Sequence, residues 1–252
     1  MMMGLMPALH APQAVFSLRH APSWLLLAFA AGSVNATAFL ASARFVTHVT
    51  GTVSRIGMDS NSVVLALDYG VVLGCFVIGA MAAAALLDGR HLSGKRPLYA
   101  VPLLAVSGLL AAVAVFGMFG FFGAFGGAVE GTSDFAFLSI LAFAMGLQNA
   151  AVATSTGLVV RTTHMTGPAT DLGMHLVTAL YAGGEVRDTA LRHAALRAGK
   201  IAAFTIGAAV GGALTPTAEY AAFLLPSAIV AGATLLSFVN LPTPSSVEEG
   251  AQ

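Results

Sequence analysis

Gly32-Ser-Val-Asn35-Ala36, then His48-Val-Thr50-Gly51, then Gly57: this order returns later as Gly146-Leu-Gln148-Asn149-Ala150, His164-Met-Thr166-Gly167 and Gly173. From each His, Thr follows at two positions, Gly at three and a second Gly at nine. The interval from Asn to His is thirteen residues in the first copy and fifteen in the second. Polar residues recurring in one order through so apolar a chain mark an internal duplication, and a duplication governs every later step of the reading. It extends past the motif. Phe76-Val-Ile-Gly79-Ala80 matches Phe204-Thr-Ile-Gly207-Ala208, and Tyr99-Ala-Val-Pro-Leu-Leu matches Tyr220-Ala-Ala-Phe-Leu-Leu. The repeats are therefore 1–127 and 128–252, joined in one integrated membrane domain.

Composition sets the environment. Of 252 residues, 57% are hydrophobic and only 9% charged. A soluble domain carries about 25% charged residues, so this chain has too little charge to coat a globule. Several apolar runs approach the ~20 residues that cross a bilayer. The expected fold class is all-α, a polytopic membrane protein with about six transmembrane helices. Net charge is zero, which gives no footing for nucleic acid. The single Cys75 excludes a disulfide framework or a cysteine zinc cluster, and reads as a small buried hydrophobe. The apolar run after Arg19 is longer than a signal-peptide core and contains the first motif, so it is expected to be retained as a span.

Spans are expected over 23–43, 69–87, 98–125, 135–156, 201–214 and 220–241, three per repeat, with loose tails at 1–22 and after 241. The loops 88–97 and 185–200 are basic and the loops 127–134 and 215–219 lack Lys and Arg. Positive charge stays cytoplasmic, so both termini are expected inside. An odd number of spans per repeat makes the second repeat inverted. The first motif then lies on the external side and the second on the cytoplasmic side. Arg44 and Arg55 are discordant with that count and are read as motif residues.

Each motif predicts a short or re-entrant helix, over 53–67 and 169–180, with Thr50 or Thr166 as N-cap and Pro168 in the first turn. Broken helices are tolerated at membrane depth where protein or a water-filled cavity surrounds them. Helix N-termini attract anions, and Arg44 and Arg161 stand four and three residues before the His. Paired discontinuous helices at a midplane are also a transporter pattern. The candidate substrate-binding residues are Asn35, Arg44, His48, Thr50, Gly51, Gln148, Asn149, Arg161, His164, Thr166 and Gly167. Exposed to a cavity, the two His residues would confer pH sensitivity.

Plainer roles stand beside these. The Thr and His residues satisfy orphan backbone groups, the Asn residues glue helices, and the Arg residues snorkel to headgroups. Arg55 and Asp59 suit a local ion pair. Asp171 and His175 suit two metal ligands, which do not make a site. Gly207 and Gly211 suit close packing within the chain or in a dimer. No Gly-x-Ser-x-Gly elbow, His-Glu-x-x-His motif or phosphate loop is present, and no cofactor is implied.

The two motifs, with Val160-Arg161-Thr162-Thr163 before the second His, resemble the YoaK family of small bacterial inner-membrane proteins of unknown function. The resemblance spans nearly the whole chain. Where that pattern has Asn after the first Thr-Gly, this chain has Thr52. The resemblance implies the membrane architecture and a bacterial inner-membrane location, and leaves the activity open. The expected function is a transporter or channel for a small solute, an anion or a carboxylate metabolite. The competing readings are a membrane enzyme using His164, Asp171 and His175, and a non-catalytic membrane scaffold.

Overall fold

The computed structural model describes residues 20–58, 62–126 and 132–236. These form helices without a strand among them. In chain order they are α1 (Ala21–Ser42), α2 (Val49–Met58), α3 (Val63–Ala84), α4 (Ala100–Met118), α5 (Thr132–Ser155), α6 (Thr166–Tyr181), α7 (Gly184–Ala218) and α8 (Leu224–Thr234). A π-helical turn, Ala85–Gly89, and one further turn, Arg90–Leu92, prolong α3. Five helical stretches are long and apolar enough to cross a membrane: Ala21–Ser42, Val63–Leu92, Ala100–Met118, Ser133–Ser155 and Gly184–Thr234.

The ends of the helices follow local chemistry. Pro22 opens α1, where a missing N–H costs nothing. Ser62 caps α3, its hydroxyl accepting from the Leu65 N–H at 3.4 Å. Ala43 and Leu158 both take left-handed backbone, at φ 52° and 69°, and stop α1 and α5 just before the motif loops.

The helices pair across the halves of the sequence. α1 packs most extensively on α7, and α3 on α5. The seams are backbone to backbone. A methyl group at Gly32 would overlap the Phe204 carbonyl, and one at Gly207 the Phe29 carbonyl. At the second seam Gly146 meets Phe76 and Gly79 meets Phe143 in the same way. Small residues let membrane helices approach this closely. Residues 29, 33 and 37 of α1 meet 207, 211 and 215 of α7 in rising order, so the two helices run parallel. The α3–α5 seam is parallel too, from Tyr69–Phe135 through Gly79–Phe143 to Asp88–Thr154. α4 and α8 run antiparallel, linked by Ser107 and Ser227 near one end and by Gly117 against Tyr220 near the other. Gly207 and Gly211 thus serve packing within the chain.

Two expectations change. The stretch 117–126, expected to continue the third span, leaves the helix at Met118. Gly120, Gly123 and Gly126 adopt φ of 78–79°, and the chain folds back until the Gly126 N–H donates to the Ala41 carbonyl at 3.1 Å. The basic connector 185–200 is helical. It is the first half of α7, whose 35 residues extend about 52 Å, well past the ~30 Å of hydrocarbon. Spans five and six are separate helices, α7 and α8. They join through a 3₁₀ turn, Glu219–Phe223, with Glu219 at φ 47°. Of the expected tail 1–22, Ala21 and Pro22 already open α1, while 1–19, the tail after 241, Asp59 with its ion pair to Arg55, and most of the loop 127–134 lie outside the described residues.

Candidate functional site

The two motif loops are built alike. Each leaves a central helix at a left-handed turn and enters a motif helix at its His. Midway, the Asn of the central helix reaches out and holds the residue before that His. The Thr47 N–H and hydroxyl donate to Asn35 Oδ1 at 3.3 and 2.9 Å. The Thr163 N–H donates to Asn149 Oδ1 at 3.4 Å. An N–H must be met by the amide oxygen, so each Asn keeps its NH2 donors for another partner. The His rings then fold over the next turn. A methyl at Gly51 would stand 2.8 Å from Nδ1 of His48, and one at Gly167 2.9 Å from Cε1 of His164. The Thr-Gly step is therefore the seat of the imidazole. Neither Thr caps its helix, because α2 begins at Val49 and α6 at Thr166 behind an N-cap residue, Met165, that makes no side-chain bond.

Both loops open onto one cavity of about 600 Å³, a size that suits a small molecule. Asn35, His48 and Thr50 line it from one half, and Asn149, Arg161, His164 and Thr166 from the other. Phe76 and Phe204, the aromatic residues of the two glycine seams, also face it, as do Phe45, Thr47 and Thr163. The starts of α2 and α6 reach it through Val49, Thr50, Met165 and Thr166. The first N–H groups of a helix have no partner within it, so two sets of donors lie at the wall. No Asp or Glu is among the lining residues. Arg161 supplies full positive charge to a chamber otherwise walled by amides, hydroxyls, imidazoles, aromatic rings and a few aliphatic side chains.

Seven of the eleven residues expected from the sequence meet at this cavity. Arg44 does not. Its guanidinium lies 5.6 Å over the Tyr69 ring, and its position relative to His is one step away from that of Arg161. Phe45 occupies the step that matches Arg161. Gly51 and Gly167 sit beneath the His rings instead of lining the space. Gln148 is fully buried behind it, and its Nε2 donates to the Leu27 carbonyl and to Thr162 Oγ1, both at 3.1 Å.

Two further cations hold the second loop. Lys200 is buried, and its Nζ donates to the His164 carbonyl at 2.9 Å. Arg197 donates from Nη1 to the Val159 carbonyl at 2.8 Å and meets the Asp171 carboxylate at 3.3 Å. The sequence signal for these roles was the cluster of cations next to the fifth span, read as a surface loop. Asp171 is thus an ion-pair partner, and His175 stacks edge-on against His193 at 5.0 Å, apart from the cavity that His164 lines. Among the described residues no group of three or more His, Cys, Asp or Glu could hold a metal.

Residues 23–236 match the family model described as "Protein of unknown function (DUF1275)". Neither a curated protein nor a solved structure matches the chain.

Proposed function

The chain belongs to the DUF1275 family, and from that footing we propose that it is a membrane transporter or channel for a small anion or carboxylate-bearing metabolite. The residues that resemble the YoaK family lie inside the matched range, and we take the chain to be of that type. The observation that carries the proposal is the cavity between the two motif copies, with Arg161 in its wall and no carboxylate among the lining residues. An anion there gains from Arg161, from amide donors and from two helix N-termini at once. A solid interior would have favoured a scaffold instead.

The arrangement is read as two inverted repeats, 1–127 and 128–252, with about six spans. Support comes from the parallel seams. If α1 and α3 cross in opposite directions, α5, which runs with α3, opposes α1, and α7, which runs with α1, opposes α3. Each half is then the other turned over. The basic stretches 88–97 and 185–200 support a bacterial inner-membrane orientation with both termini in the cytoplasm. On this reading the motif helices enter from opposite faces and meet at the cavity.

The test is anion flux into liposomes containing the purified protein, with chloride, acetate and phosphate as separate solutes. Arg161→Ala is expected to reduce flux of the transported anion about tenfold or more, the equivalent of one charge-assisted hydrogen bond. Flux that survives this change at the wild-type rate would remove the anion assignment.

A further inference from the structure

Arg44 and Arg55 remain outside the central cavity, on the face where positive charge is least expected. A second cavity of about 210 Å³ explains both. It abuts the first, and Phe45 and His48 line the two together. Arg44 and Arg55 contribute its charge, while Phe39, Tyr69, Val72 and Leu138 make an apolar wall. Phe39 and Phe45 stack at 4.4 Å, which stiffens that wall. No Asp or Glu is among its lining residues.

Arg44 is half-buried and poorly satisfied. Its Nη1 reaches only the Ala43 carbonyl, at 3.4 Å, and its Nε is buried without a hydrogen-bond partner among the described residues. A buried guanidinium donor left without an acceptor is costly, and here it borders an open space. Tyr69 stacks on the cation without offering an acceptor for it. The group that completes this wall is an oxyanion, and the rings and aliphatic side chains around it favour one with an apolar body.

We infer that this cavity is an outer subsite for an oxyanion-headed, apolar-bodied ligand, bound at Arg44 and separated from the central chamber by Phe45 and His48. The inference deepens the transport reading and rests on it for the order of the two chambers. Binding at Arg44 can be measured without any flux. The same chemistry occurs in a soluble aromatic carboxylate and in the headgroup of an anionic lipid.

The experiment titrates benzoate against the full-length protein in phosphatidylcholine nanodiscs, followed by saturation-transfer NMR. In the Arg161→Ala protein, which lacks the central cation, benzoate binding is expected to persist. Adding Arg44→Gln is expected to weaken it about tenfold or more, and Arg44→Lys to restore part of the loss. Binding lost on Arg161→Ala alone, or unchanged by Arg44→Gln, overturns the subsite. Melting temperatures of the Arg44 variants separate lost binding from lost folding, with the Lys variant deciding if the Gln variant does not fold. Replacing part of the lipid with phosphatidylglycerol identifies the source. Arg44-dependent displacement of benzoate assigns the site to a lipid headgroup, and retention assigns it to a soluble carboxylate. If flux ignores Arg161 while benzoate binding depends on Arg44, the anion assignment of the central cavity fails and the subsite stands.

Discussion

The loop from Arg44 to His48 and the loop from Val160 to His164 share a scaffold and differ in chemistry. Both hang from an Asn, both seat a His over a Gly, and both lie beside a glycine seam. Three residues before the His, however, the first has Phe45 and the second Arg161. Seven residues before the seam glycine, the first half has Val72 and the second Lys200. Ten before it, the first half has Tyr69 and the second Arg197. The duplication is kept where backbone geometry depends on it and lost where side chains meet the void or brace a loop. One half is therefore lined with rings and the other is braced by cations, so a symmetric frame presents an asymmetric chamber.

The largest effect expected is at the seams, where the halves are equivalent. Gly146→Ala and Gly32→Ala each force a methyl into a carbonyl of the facing helix. Overpacking costs about 1–3 kcal/mol, and more where backbone is the obstacle. Both variants are expected to lose melting temperature in detergent by similar amounts. A large loss in one and none in the other would break the equivalence.

Next comes the brace. Lys200→Met removes the Nζ hydrogen bond to the His164 carbonyl, worth about 0.5–3 kcal/mol. Faster hydrogen exchange is expected across 159–165, with 44–48 unchanged, whereas Val72→Ala is expected to leave exchange of 159–165 untouched. Equal loosening of both loops by Lys200→Met would mean the brace serves the whole frame.

The smallest effect concerns the glycines that close each motif. Nothing lies within 4 Å of a methyl built at Gly57 or Gly173, and both are in helices. Gly57→Ala and Gly173→Ala are expected to be neutral or stabilising by up to about 1 kcal/mol in thermal melts, the helix-propensity difference between the two residues. A loss at either would reveal a contact made by that motif alone.

The sequence made the duplication legible, and with it the meeting of Asn35, His48, Asn149 and His164, because rare polar residues in an apolar chain carry order that composition does not. Arg44 was misplaced because a shift of one residue, after a left-handed turn at Ala43, sends a side chain to another face. Spacing alone does not record that turn. Arg187, Arg192, Arg197 and Lys200 looked like a loop because charge signals water, yet a helix long enough to leave the bilayer carries charge without breaking. The Gly/Phe run at 117–126 looked helical by its hydrophobicity, and its glycines instead reversed the chain.

The parallel seams also bear on how the protein is made. Helix α1 emerges from the ribosome early, yet its closest neighbour, α7, follows well over a hundred residues later. Until then its glycine face has no mate, and lipid or an insertase must shelter it. A nascent chain released before residue 199 would leave that face permanently bare, a ready target for membrane quality-control proteases.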